Sequence, residues 1–269
     1  VTSPVTPVPA APGDVVGWPK LVMRYPTEAT CISRLLPPGL DPFGDPVVQI
    51  SVYCVPVHGE PELGVSTKVP ARYAGTDGWY TLGIGIDQES AIFVSRETNG
   101  QPKFPCAVRY FRLGDEVRAD CTHQGTTFLS YRGRSTGEAE PNGAEPVGAE
   151  VVDHEWWLKY SRAVGGGPGF DLPPRVVAVR TVGVRTRTEL LDGDLVLRDS
   201  DWDPYTRLLP MAGPATAELV TTRHLARDIS VAGPLDPDGF APFADTIGGS
   251  RWPGRRGAPP TAEPPGGRP

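Results

Sequence analysis

The chain has 269 residues, a net charge of −6 and 39% hydrophobic residues. That length can bury a sizeable core as one large domain or two small ones, and the acidic balance argues against nucleic acid or an anionic membrane as the main partner. No apolar run approaches the roughly 20 residues that cross a bilayer. The opening residues Val1-Thr2-Ser3-Pro4 have no basic region before an apolar stretch, so no signal peptide is expected. Cys31, Cys54, Cys106 and Cys121 lie far apart, without CxxC or metal-ligand spacing. They read as small apolar residues of a reducing compartment, and a cytoplasmic location is expected.

Residues 1–19 carry five prolines and few large apolar groups, which predicts an extended Pro-rich arm. Order is expected from Leu21–Tyr25, a short strand, followed by a helix capped by Thr27 and running to Leu36, with Pro37-Pro38-Gly39 ending it. Pro46 to Val57 alternates at period two, with Val48, Ile50, Val52 and Cys54 on one face and Gln49, Ser51 and Tyr53 on the other. Further strands are predicted over Val65–Tyr73, Trp79–Ile86 and Ala91–Val94, with turns at Gly59-Glu60-Pro61 and Gly75–Gly78. Three more follow at Cys106–Leu113, Glu116–Thr122 and Thr126–Tyr131, then a polar loop over 133–149. Order resumes near Glu155–Tyr160, with Arg175–Arg187, Glu189–Arg198 and Glu218–Val231 as extended segments around a Gly165–Gly169 loop. The tail from Arg251 is rich in Pro, Gly and Arg and reads as disordered. Many short strands and about two helices describe a mostly antiparallel α+β or all-β domain.

Chemistry-bearing patterns are few. His58, His123, His154 and His224 have no HxxxH or HxH spacing, and Asp153-His154-Glu155 would split between opposite strand faces, so no metal site is expected. A Gly-x-Ser-x-Gly elbow, a P-loop and a GxGxxG after a strand are all absent. The carboxylates at 192/194 and 199/201/203 sit in turn-like polar sequence, and Trp156-Trp157 reads as core. Lysine is the exception. Only Lys20, Lys68, Lys103 and Lys159 occur among 26 basic residues. A desolvated amine can attack a carbonyl, which arginine cannot. Lys103 lies between Pro102 and Phe104-Pro105, after the apolar run Ala91–Val94; local context alone favours a solvated loop residue.

The stretch Val69-Pro70-Ala71-Arg72-Tyr73, Gly78-Trp79-Tyr80, Ile86-Asp87-Gln88-Glu89-Ser90-Ala91-Ile92, and Arg96-Glu97 followed by Pro102-Lys103 resembles the acetoacetate decarboxylase family. Tyr25-Pro26-Thr27, Leu35-Leu36-Pro37, Leu158-Lys159 and Glu218–Val231 extend the resemblance over roughly residues 20–245. It implies an α+β, mostly antiparallel β-cone or barrel with few helices, enclosing an apolar cavity in a homo-oligomer. The expected organisation is an arm over 1–19, a single domain over 20–248 and a disordered tail over 249–269. It also implies that Lys103 forms a Schiff base with a keto substrate, whose iminium stabilises the carbanion left by loss of carbon dioxide, a proton or an aldol partner. No cofactor, metal, nucleic acid or membrane is expected; the partner is a small carbonyl compound.

The departures from the family pattern bear on the reaction. Family decarboxylases carry a second lysine after the nucleophile, where this chain has Phe104, so activation of the amine would rest on burial and nearby arginines. Two family glutamates fall at Gln49 and Gly64; Glu62, two residues before Gly64, would point the same way on a strand and serve instead. A family arginine falls near Trp18, leaving Lys20 or Arg24 to replace it. This pattern resembles the divergent members of bacterial secondary metabolism, such as antibiotic biosynthesis, that run aldol, dehydration or cyclisation chemistry. The expected function is a Schiff-base lyase (aldolase, dehydratase or cyclase) acting on a keto acid or polyketide-like carbonyl. Lys103 is its nucleophile, Arg24 the substrate anchor and Asn99 the water-positioning group, with Gln49, Glu62, Tyr80 and Phe104 lining the cavity. The alternatives are a β-keto acid decarboxylase working through the Lys103 iminium, with Phe104 adding apolar character, and a non-covalent cyclase or binding protein on the same fold.

Overall fold

A computed structural model describes residues 17–57, 59–138, 148–244 and 247; His58, the predicted arm up to residue 16 and the tail from 248 lie outside them. In chain order the elements are β1 (Lys20–Pro26), α1 (Ala29–Ser33), β2 (Asp41–Pro42), β3 (Val47–Val57), β4 (Glu60–Tyr73), β5 (Thr76–Ile86), α2 (Glu89–Asn99) and β6 (Lys103–Pro105). Then come β7 (Ala107–Leu113), β8 (Glu116–His123), β9 (Thr126–Glu138), β10 (Glu150–Arg162), β11 (Phe170–Leu197), α3 (Tyr205–Leu208), β12 (Thr216–Pro234) and α4 (Pro237–Phe240).

The strands form one sheet in the order β10-β5-β4-β3-β1-β12-β11-β9-β8-β7, and β10 also pairs with β11. Seven strands therefore close into a ring, from β10 through β5, β4, β3, β1, β12 and β11 back to β10, with β9, β8 and β7 continuing from β11 as a flap. All pairings are antiparallel except β10–β5 and β5–β6. The architecture is the mostly antiparallel fold expected from the sequence, closed as a ring with a flap rather than as a clean barrel.

Alternation along each strand sends residues to two environments. Leu21, Met23, Val48, Ile50, Val52 and Val69 pack outward, where the flap's Val117, Cys121 and Leu129 and the short helices' Ile32, Tyr205 and Phe240 complete one large core. The residues between them face the ring interior, because charges carried by β1, β4, β10 and β12 act on one another there.

Several local expectations are corrected. The predicted helix over 27–36 is only α1; Thr27 turns inward and its hydroxyl donates to the Pro210 carbonyl (2.8 Å) instead of capping. Ala91–Val94 is not a strand but part of α2, which has Glu89 in its first turn, Arg96 in its last and Gly100 at φ 68° as its C-cap. A four-residue apolar run cannot distinguish strand from helix, and Phe93 and Val94 turn out to be exposed. Strand β9 continues to Glu138 through the predicted loop, while 139–147 lie outside the described residues. The two strands predicted over 175–198 are one, β11, with irregular register near Arg185–Arg187.

Flap and ring are tied by Glu189 on β11. It accepts from Arg112 of β7 (2.8 Å) and Ser135 of β9 (2.8 Å). The Arg112 hydrogen bond, outweighing burial and helped by Ser135, holds this carboxyl below the ordinary carboxylate range. Because its folded value lies below the unfolded one of about 4.3, its contribution is full at higher pH and is lost as pH falls through the folded value. Glu189→Gln is expected to be less stable than the wild type at neutral pH, with the gap closing in acid below about pH 4; urea unfolding at a series of pH values checks this.

Candidate active site

Strand register maps the ring's inner face as rows of neighbours. One row runs Arg24, Gln49, Lys68, Thr81; the next runs Val22, Ser51, Ser66, Ile84, Lys103; a third carries Tyr53, Gly64 and Ile86. Lys103 is not in a loop. It opens β6, parallel to β5, and Arg96 of α2 donates to its carbonyl (2.9 Å). Its side chain is 8% exposed, and Nζ lies 3.1 Å from Oε2 of Glu62, which is 4% exposed. This is a buried amine–carboxylate pair.

A second charged cluster sits in the Gln49–Thr81 row. Lys68 forms an ion pair with Glu155 of β10, and Thr81 Oγ1 donates to the same carboxylate (3.2 Å). Burial pushes the Glu155 carboxyl up, but Lys68, Arg227 and Thr81 together outweigh it and hold it below the ordinary range. Lys20 has no ion-pair or hydrogen-bond partner among the described residues. Burial, then the charge of Lys68, push its amine below the ordinary lysine value. Trp157, two residues along β10 from Glu155, is buried with no hydrogen-bond partner for Nε1 among the described residues, and the Arg227 guanidinium lies over its ring at 5.6 Å.

The structure brings together only some of the residues singled out by sequence. Lys103 and Glu62 meet. Gln49 accepts from Arg24 Nε (2.9 Å), whose Nη1 also donates to Glu218 (2.6 Å), so Arg24 is already committed to protein partners. Asn99 is the half-buried last residue of α2 and makes no hydrogen bond to Lys103. Tyr80 and Phe104 do not line this face. A bulge in the β4–β5 ladder at Thr67/Lys68 shifts the phase of β5, so Thr81 points inward and Tyr80 packs in the outer core beside Val69. Phe104 follows Lys103 on the strand, so it points the opposite way and packs against His123, with ring centroids 4.7 Å apart. The inner wall beside Lys103 therefore mixes polar groups (Ser51, Ser66, Glu62) with apolar ones (Val22, Ile84, Ile86). Lys68, Thr81, Tyr53 and Glu155 were not assigned to the site by sequence; the scarcity of lysine was the available signal for Lys68. A separate cleft of about 370 Å³ is lined by Trp18, Pro19, Arg112, Arg187, Glu189 and Thr221 and contains none of these residues.

A family model described as acetoacetate decarboxylase matches residues 2–232. The chain belongs to the acetoacetate decarboxylase family. Among solved structures it is similar to the acetoacetate decarboxylase of Legionella pneumophila, at 18% identity over 78% of this chain and 86% of that one, with a TM-score of 0.65. It is also similar to the enduracididine biosynthesis enzyme MppR complexed with the condensation product of pyruvate and imidazole 4-carboxaldehyde (15% identity, 80% and 87% covered, TM-score 0.60). A third is an acetoacetate decarboxylase-like enzyme from Sphingomonas wittichii RW1 (13%, 81% and 91%, TM-score 0.58). At these identities the likeness is one of fold. A comparison with curated proteins finds no match. No helix among the described residues is long and apolar enough to cross a membrane.

Removing Lys68 leaves Glu155 as an unpaired charge within the ring. Lys68→Met is expected to cost about 3 kcal/mol, and adding Glu155→Gln to recover most of it, as measured by urea unfolding of the two single variants and the double variant.

Proposed function

We propose that this chain is a Schiff-base lyase that uses Lys103 to condense or dehydrate a 2-keto acid rather than to decarboxylate a β-keto acid. The observation that carries the reading is the buried Lys103–Glu62 pair at 3.1 Å on the inner face of the ring. A desolvated amine with a carboxylate in hydrogen-bond reach has its base at hand. The amine attacks the substrate carbonyl, water is expelled, and the iminium acts as an electron sink. Glu62 then takes a proton from the carbon next to it, leaving an enamine that attacks an aldehyde.

The charged groups of the inner face bear on the choice between the two reactions. Decarboxylation is favoured where an apolar pocket destabilises the carboxylate. Here Phe104, the residue that would have supplied such a surface, points into the outer core. The inner face instead offers the Lys20 amine, unpaired among the described residues, which suits a carboxylate that is held rather than lost. The fold shared with MppR, whose complex contains a pyruvate condensation product, fits the same chemistry. Arg24 is better read as a support for Gln49 than as the substrate anchor, since its Nε and Nη1 already hold Gln49 and Glu218.

Treatment with pyruvate and borohydride is expected to leave a reduced adduct on Lys103, identified by peptide mass, and none in Lys103→Ala. Acetoacetate is expected to give no enzyme-dependent carbon dioxide. Rapid carbon dioxide release would favour the decarboxylase, and full condensation activity in Lys103→Ala would exclude the amine mechanism.

A further inference from the structure

Residue 64 is glycine, and the structure shows what occupies the space above it. A Cβ at Gly64 would overlap Cζ and the hydroxyl of Tyr53, its cross-strand partner. The Tyr53 phenol thus stands where the side chain of residue 64 would begin. Its ring packs on the Ile84–Ile86–Ile92 cluster, which holds it down across the sheet. Register then places it against the reactive pair. Lys103 starts beside Ile84 on β6, while Glu62 starts on β4 two residues beyond Gly64, about 7 Å along the strand. To meet, the two side chains must reach over the Gly64–Ile86 row, where the phenol lies.

The hydroxyl has no hydrogen-bond partner among the described residues. Burial, then the neighbouring carboxylates of Glu62 and Glu155, hold its ionisation well above the ordinary tyrosine value. The group is therefore a protonated donor across the neutral range, which a carboxylate at residue 64 would not be.

We propose that Tyr53 is the catalytic acid of a dehydration step, donating its proton to the hydroxyl that leaves an aldol adduct bound on Lys103. The inference rests on the Schiff-base reading above and names the substrate class: a β-hydroxy keto acid. In the iminium of such an adduct, Glu62 removes the α-proton and the electron pair forms the enamine. The enamine expels the β-hydroxyl; the C–O bond breaks with its pair on oxygen, and the Tyr53 proton completes a water molecule. The product is an α,β-unsaturated iminium. Protonated Glu62 returns its proton to the phenolate, restoring both groups, and water releases the product from Lys103. No oxidant or reductant enters.

Tyr53→Phe keeps the ring over Gly64 and removes only the donor. Two readouts separate its effects: exchange of pyruvate methyl protons in D2O, which needs Lys103 and the base but no leaving group, and formation of dehydrated product from pyruvate with imidazole 4-carboxaldehyde. In Tyr53→Phe, exchange is expected to stay within about threefold of wild type while dehydration falls ~100-fold and the hydroxy adduct accumulates. Unchanged dehydration overturns the proposal, as does an equal fall in both readouts, which would make Tyr53 a wall of the site. Exchange without any dehydrated product in the wild type overturns it too, leaving the Schiff-base reading standing. A wild type that neither exchanges pyruvate protons nor is trapped on Lys103 overturns the Schiff-base reading itself, and this inference with it.

Discussion

Strand β10 closes the ring by joining β5 to β11. Through Glu155 and Trp156 it pairs in parallel with β5, and along most of its length it pairs with β11 in antiparallel. Without that closure the inner faces of β1, β3, β4 and β5 would be one side of an open sheet, and water would screen their charges. With it, Lys68 on β4 finds Glu155 on β10, and Lys103 finds Glu62 in surroundings that leave each less than a tenth exposed. The outer core supports the ring from behind: Tyr80, Phe104 and Trp156 belong to it, and Trp156 Nε1 donates to the Ala71 carbonyl (3.1 Å).

Charges held in such a place are retained at a cost to stability, since desolvation of each ion offsets much of the pair's attraction. The inner face carries two such clusters. In the proposed reaction Lys103–Glu62 supplies an amine and a base; Lys68–Glu155–Thr81 fixes the neighbouring row and adds charge near Lys20. Three of the four lysines in the chain, Lys20, Lys68 and Lys103, belong to this inner face, and the fourth, Lys159, donates to the carbonyl of Thr98 at the end of α2 (2.7 Å).

The legible part of the sequence was the part governed by local pattern. Period-two alternation placed Gln49, Ser51 and Tyr53 on one face of β3, and the collinear motifs from Val69 to Lys103 carried the family. What depended on a partner strand was not legible. The bulge in the β4–β5 ladder that turns Thr81 inward and Tyr80 outward has no signature in β5 alone. The overlap of Tyr53 with residue 64 could be seen only once β3 and β4 were paired. Helix α2 was misread because its apolar residues are four in a row, of which only Ile92 is buried. The Lys68–Glu155 pair joins residues 87 apart in sequence, a separation that only ring closure makes short.

The claim on which the rest depends is that Lys103, and neither of the other two inner lysines, is the nucleophile. A crystal structure of the protein soaked with pyruvate tests it most directly. Electron density continuous from Nζ of Lys103 to the carbonyl carbon, with the carboxylate turned toward Lys20, is the expected result. Continuous density at Lys20 or Lys68, or pyruvate held without a bond to any amine, would contradict the account.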